Sequence, residues 1–295
     1  MRDIRDNTVI QIEVTNRCHL SCRHCTRHVG LHAKTFDMSL DDIKRAIDCT
    51  LDSPCRIGIM GGEPVVHPEF EAICRIVQER IPLERREFWT AGFRWNRYEA
   101  LIKETFARIN FNNHIAYDGR HTPLLVALDE VVDDPELRAE LIDSCPFQAR
   151  WSASITPKGG FFCEIAASMD WLFDGPGGWP IEPGWWKRGV ADYASQIEAS
   201  CGKCGGCIPM PKQWTDARGG RDKPVYETMT AGNRDRLMAL GSPKVTAGLV
   251  DIWTRKIDRA WVDEHRAINP REYRSFEAFS PEDVRKALDK PLETV

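Results

Sequence analysis

Val9-Ile10-Gln11-Ile12-Glu13-Val14-Thr15-Asn16-Arg17-Cys18-His19-Leu20-Ser21-Cys22-Arg23-His24-Cys25 is the stretch that decides how this chain folds. Its first part alternates apolar and polar residues, the period of a strand. Its second part places three cysteines at C-x3-C-x2-C spacing on the loop that follows. Three thiolates on one tight loop can hold three irons of a cubane [4Fe–4S] cluster and leave the fourth iron without a protein ligand. An open metal position is a place for chemistry, as in catalytic rather than structural metal sites.

Working outward, residues 8–15 read as a strand and Ser39-Leu40-Asp41-Asp42 as a capping box opening a helix, with Leu40, Ile43, Ala46, Ile47 and Leu51 on one face. Ile57–Met60 is a short apolar strand, and His67-Pro68-Glu69-Phe70 starts a second helix. Glu87–Gly92 reads as strand then turn, Tyr98–Thr105 as helix, and Ala107–Asn112 as strand. Strands alternating with helices predict parallel βα units, which place ligands beyond the carboxyl ends of their strands. The cysteine loop, Gly61-Gly62, Thr90-Ala91-Gly92 and Asn112-Asn113-His114 all fall at those ends. Leu124–Val132 is expected as a further strand and Pro135–Ser144 as a helix.

The triplet, the Thr15-Asn16 pair ahead of it and the Gly61-Gly62-Glu63-Pro64 segment after the next strand together resemble the signature of the radical S-adenosylmethionine (radical SAM) superfamily. The resemblance covers residues 8–115 and extends toward 210. It implies an α/β fold, a partial (β/α)6 barrel. It also implies a [4Fe–4S] cluster on Cys18, Cys22 and Cys25, with His24 beside the adenine of SAM. Gly61, Gly62, Glu63 and Pro64 would position the methionine end. Thr90, Asn112 and Asn113 are candidates for further polar contacts with SAM, or ordinary strand-end residues. The implied chemistry is reductive cleavage of SAM to a 5′-deoxyadenosyl radical, which then takes hydrogen from a substrate. Zinc is the alternative for the triplet, with His19, His24 and His28 as further donors.

A second cysteine group lies further on. Phe147–Ile155 and Phe161–Ile165 flank the turn signal Pro157-Lys158-Gly159-Gly160, a β-hairpin with Cys163 on its second arm. Cys201, Cys204 and Cys207 follow at C-x2-C-x2-C spacing. The hairpin and cysteine knot resemble the twitch or SPASM-type extension of some radical SAM enzymes. That resemblance implies one auxiliary [4Fe–4S] cluster on Cys163, Cys201, Cys204 and Cys207. Cys145 is a fifth candidate, as ligand or as a catalytic thiol donating hydrogen. Structural zinc remains the alternative here too. The expected units are a barrel over 1–145, the auxiliary-cluster region over 146–210 and a helical C-terminal region over 211–295, in which Ser280-Pro281-Glu282-Asp283 caps a last helix.

The chain has 295 residues, 42% of them hydrophobic, and a net charge of −4, which argues against general nucleic-acid binding. No apolar run reaches the roughly 18 residues of a membrane span. Met1–Asp6 is polar, without the apolar core of a signal peptide, and no separate domain is expected ahead of the first strand. Eleven cysteines in such a chain read as metal ligands in the reducing cytoplasm. Cys49, Cys55 and Cys74 are expected to be inert residues, the first and last of them in the core. Glu164, Asp170 and Asp174 are candidate bases or substrate ligands. Trp151, Trp171, Trp179, Trp185 and Trp186 form either a ring-binding platform or packing. The expected function is radical chemistry on a small polar substrate, with a carbohydrate or aminoglycoside-like metabolite as the candidate, and electrons from a flavodoxin or ferredoxin. A peptide-modifying maturase and a non-enzymatic metal-stabilised binding protein are the alternatives.

Overall fold

The computed structural model describes residues 1–112, 120–211, 213–214 and 225–266. The chain begins with alternating βα units: β1 (Val9–Thr15), α1 (Leu40–Asp48), β2 (Arg56–Gly61), α2 (Phe70–Arg80), β3 (Arg86–Thr90), α3 (Trp95–Thr105) and β4 (Arg108–Phe111). A short strand β5 (Arg120–His121) and helices α4 (Leu128–Val131), α5 (Pro135–Asp143) and α6 (Pro146–Arg150) lead into the hairpin β6 (Ala153–Thr156) and β7 (Gly159–Phe161). Helices α7 (Glu164–Leu172) and α8 (Ala194–Ser200) follow, then β8 (Gln213–Trp214), β9 (Glu227–Met229), α9 (Ala231–Ala239), α10 (Pro243–Thr246), β10 (Val250–Ile252) and α11 (Arg259–Arg266).

The main sheet runs β4-β3-β2-β1-β6-β7. β1 pairs in parallel with β2 and β6, and β2–β3 and β3–β4 are parallel as well; only β7 is antiparallel. This is an α/β fold, consistent with a partial barrel. β6 joins β1 with Ile10 opposite Ala153, so the hairpin is part of the main sheet.

Side-chain alternation assigns the two faces of the sheet. Phe88 stacks on Phe106 and meets Phe70 of α2, fixing one face of β3 against the helices. Glu87 and Trp89 therefore face the other way. There Glu87 accepts from Trp89 Nε1 (3.0 Å), Asn110 Nδ2 (2.7 Å) and Arg56 Nε (2.5 Å). On β1, Ile10, Ile12 and Val14 belong to the core, and Gln11 and Glu13 alternate with them. The sheet thus has an apolar helix-covered face and an inner face that carries buried polar groups.

Ser39 caps α1 as expected, accepting from Asp42 N at 3.1 Å. Two expected strands are helices instead. Within Leu124–Val132, only Leu125 makes a bridge, to Met229, and the segment turns into α4. Phe147–Arg150 is helical because Pro146 at the first helical position presets the backbone; strand structure begins only at Ala153. Cys163 lies just beyond β7, at the N-cap of α7.

The tryptophans pack. Trp185 donates to Thr50 Oγ1 (3.2 Å) and Trp186 to Asp52 Oδ1 (2.7 Å), pinning the Gly/Pro-rich loop to the end of α1. Gly160 makes room, since a Cβ there would meet the Trp185 ring at 2.6 Å. Trp171 donates to Lys34 O, Trp179 packs on Tyr193 and Trp151 on Phe147. Cys49, Cys55 and Cys74 are buried in the main core. Among the described residues no helix is long and apolar enough to cross a membrane.

Candidate functional site

The cysteine loop leaves the carboxyl end of β1. Gly61 and Gly62 pack against its root: Gly62 N donates to Thr15 O and Glu63 N to Arg17 O, both at 2.8 Å. A Cβ on Gly62 would sit 2.3 Å from Arg17 O, so glycine is required for this close approach. Glu63 turns toward β3, accepting from Thr90 Oγ1 and Ala91 N at 2.7 Å each. Burial raises its carboxyl to about 7 despite those two bonds. Pro64 opens the short turn that follows, and Asn112 donates its backbone N–H to Thr90 O. The predicted residues Cys18, Cys22, Cys25, Gly61, Gly62, Glu63, Pro64, Thr90 and Asn112 are therefore assembled at neighbouring strand ends. Asn113 and the expected helix after Ser280 lie outside the described residues.

Burial pushes the Cys18 thiol up to about 12 and raises Cys22 and Cys25 as well, while the Lys244 ammonium pulls the last two back. Metal binding needs these thiols as thiolates, and a bound metal would supply the compensating charge. His19 stacks on Phe93 with ring centroids 4.3 Å apart.

Two charged networks hold the loop, and sequence reasoning named neither. On the sheet side, buried Arg27 reaches Glu13 Oε1 and Glu164 Oε2, both at 2.8 Å. Ser154 donates to Glu13 and Ser152 to Glu164. Burial works against the Arg27 charge, but Glu13 and Glu164 outweigh it and hold the guanidinium above its ordinary range. Glu164 is thus engaged in an ion pair at the inner face. Glu13, the one charged residue of the strand Val9–Thr15, was the available sequence signal. On the opposite side, the segment from β9 to β10 grips Arg23 and His24. Arg23 Nη2 donates to Asp251 Oδ2 (2.8 Å) and Thr228 Oγ1 (3.0 Å). His24, at φ +54°, donates its backbone N–H to Glu227 Oε2 (2.9 Å), and its Nδ1 lies 2.9 Å from the same oxygen. Lys244 Nζ completes the group at 3.1 Å from Glu227 Oε1. The His24 ring is buried and committed to Glu227.

The second group comes together from three stretches of chain. Cys145, Cys163, Cys201, Cys204 and Cys207 all line one cavity, otherwise walled by residues such as Ile142, Phe147, Phe162, Ile165 and Met169. Burial raises the thiols of Cys163, Cys201 and Cys207. Cys145 thus stands with the other four. Asp170 is not part of either group: it is buried and paired with Lys158 Nζ at 2.9 Å. Asp174 is exposed. Among the described residues, no three His, Cys, Asp or Glu side chains converge closely enough to hold a single metal ion. A cubane takes one thiolate per iron, so its ligands stand wider apart than those around one ion.

Comparison with known proteins agrees with the motifs. The family model described as the Radical SAM superfamily matches residues 12–125. That match takes in the cysteine triplet and the Gly61-Gly62-Glu63-Pro64 segment, and it supports an enzyme. No curated protein matches. Among solved structures, a crystal structure of BtrN in complex with AdoMet and 2-DOIA is similar at 18% identity and a TM-score of 0.38, over 54% of this chain and 74% of that one. A selenomethionine BtrN structure in an open conformation gives 17% and 0.41, over 68% and 88%.

Proposed function

We propose that the enzyme holds a [4Fe–4S] cluster on Cys18, Cys22 and Cys25 with SAM at its open iron, holds one auxiliary [4Fe–4S] cluster at the second cysteine group, and acts on a small polar substrate of carbohydrate or aminoglycoside-like type. The observation that carries this reading is the gathering of five cysteines, from positions 145, 163 and 201–207, around one cavity separate from the triplet. An all-sulfur donor set in a largely apolar pocket suits an iron–sulfur cluster. Cys163, Cys201, Cys204 and Cys207 are the assigned ligands. Cys145 is the fifth thiol, able to replace one of them or to donate hydrogen to substrate. The resemblance to twitch or SPASM-type extensions points the same way.

When bound, SAM and the reduced first cluster supply a one-electron route for removing hydrogen from an unactivated C–H bond. The chain's own residues do the rest. Gly61 and Gly62 bring backbone close to the cysteine loop, where the methionine end of SAM would lie. Glu63 keeps Thr90 and Ala91 in place beside it. Arg27, Glu13 and Glu164 hold the loop against the sheet. On the inner face Trp89 and Asn110 both bond to Glu87, so the polar substrate is read from the resemblance and not from those groups. The electrons would come from a flavodoxin or ferredoxin in the cytoplasm.

The test is anaerobic turnover with dithionite, SAM and a panel of amino sugars and aminocyclitols. The expected result is 5′-deoxyadenosine formed in proportion to an altered sugar. Cleavage stimulated only by peptides would move the reading to a maturase. An iron-loaded protein that neither binds nor cleaves SAM would refute it.

A further inference from the structure

The segment from β9 to β10 is joined to the cysteine loop by buried charge, although 203 residues separate His24 from Glu227. The turn between Cys22 and Cys25 needs such a hold. His24 is in the left-handed region, which a non-glycine residue occupies only when its surroundings enforce it. Glu227 provides that constraint by binding both the His24 backbone N–H and the ring Nδ1. Lys244 then approaches from α10. Its stem lies along the loop: a Cβ on Gly30 would come within 3.0 Å of Lys244 Cε and within 3.0 Å of Ser21 Oγ. Lysine, glutamate and histidine are all buried, so little water screens their charges.

We propose that Glu227 and Lys244 are positioning residues for the first metal site, Glu227 fixing the His24 turn between two ligand cysteines and Lys244 setting a buried positive charge beside them. This rests on the reading that the triplet holds a [4Fe–4S] cluster. Such a cluster gains a negative charge on reduction, and its potential follows the local charge and hydrogen bonding. The two residues therefore act on it with opposite signs.

The test is a redox titration, followed by EPR, of anaerobically reconstituted wild type and variants, with the auxiliary cluster as internal reference. Lys244→Met leaves the Glu227 charge uncompensated and should shift the first cluster to a more negative potential. Glu227→Gln keeps an oxygen to accept from His24 and removes the negative charge, so the shift should be positive. The double variant should return toward wild type, and Lys244→Arg should stay near it. The auxiliary signal should not move in any of them. A merely structural role would instead lower iron occupancy in both single variants or shift both in one direction, and either result overturns the proposal, as does no shift at all. Iron counted on the wild type separates this outcome from the other failure: a triplet that takes up no iron would overturn the cluster reading itself.

Discussion

The two cysteine groups of this enzyme sit in opposite surroundings. The triplet loop is held by charge: Arg27 between Glu13 and Glu164 on one side, and Glu227, Lys244, Arg23 and Asp251 on the other. The second group is enclosed by Ile142, Phe147, Phe162, Ile165 and Met169. On the proposed function, a loop that presents an open iron to a charged cofactor has to be held firmly, and the ion pairs on it do this. A fully ligated cluster needs only a dry pocket. On the proposed function, the contrast suits reaction at the first site and a supporting role at the second.

The contrast breaks most severely at Arg27. Arg27→Met would leave two buried carboxylates without their cation and should cost about 3–5 kcal/mol of stability in chemical denaturation, the usual effect of removing one partner of a buried pair. An equal loss from altering an exposed pair such as Lys103–Glu99 would show that burial plays no part.

Glu63 sharpens the comparison through pH. Its folded-state pKa is raised by burial to about 7, above the ordinary 4.5. The folded protein therefore binds the proton more tightly, and this group's contribution to stability falls as pH rises from about 4.5 through about 7. Thermal melts of the metal-free protein across that window should lose part of their slope in Glu63→Gln. An unchanged slope would place the titration elsewhere.

Gly62→Ala puts a Cβ 2.3 Å from Arg17 O and should force the cofactor loop to shift. SAM affinity, measured by equilibrium dialysis, should weaken about tenfold or more, about 1.4 kcal/mol, with the second cysteine group unaffected. The smallest effect is expected far from both sites. Trp185→Phe removes the bond to Thr50 and should cost about 1 kcal/mol of stability while leaving iron content unchanged.

What the sequence revealed was local. The alternation at residues 9–15, the cap at Ser39 and the cysteine spacings each depend on a few neighbouring residues, and each appears in the structure near its expected place. Leu124–Val132 reads as a strand in sequence, but without a continuous partner strand it keeps only the bridge at Leu125 and turns helical at Leu128. Phe147–Arg150 was misread as strand although Pro146 announced a helix. The site was legible in its ligand cysteines and glycines, but not in what holds them. The partnership of Glu227 with His24 depends on a fold that brings distant segments together: the cysteine motif marked His24, but nothing in the sequence marked Glu227. Cys145 was already the fifth candidate in the sequence, and the fold brings it to the cavity of the other four.

The most direct test of the two-site account is an iron and sulfide count after anaerobic reconstitution of three proteins: wild type, Cys18/Cys22/Cys25→Ala, and Cys163/Cys201/Cys204/Cys207→Ala. The account predicts about eight irons in wild type and about four in each variant, four per cubane, with SAM cleavage absent from the triplet variant. Zinc in place of iron, or four irons in wild type that all vanish with one set of cysteines, would contradict it.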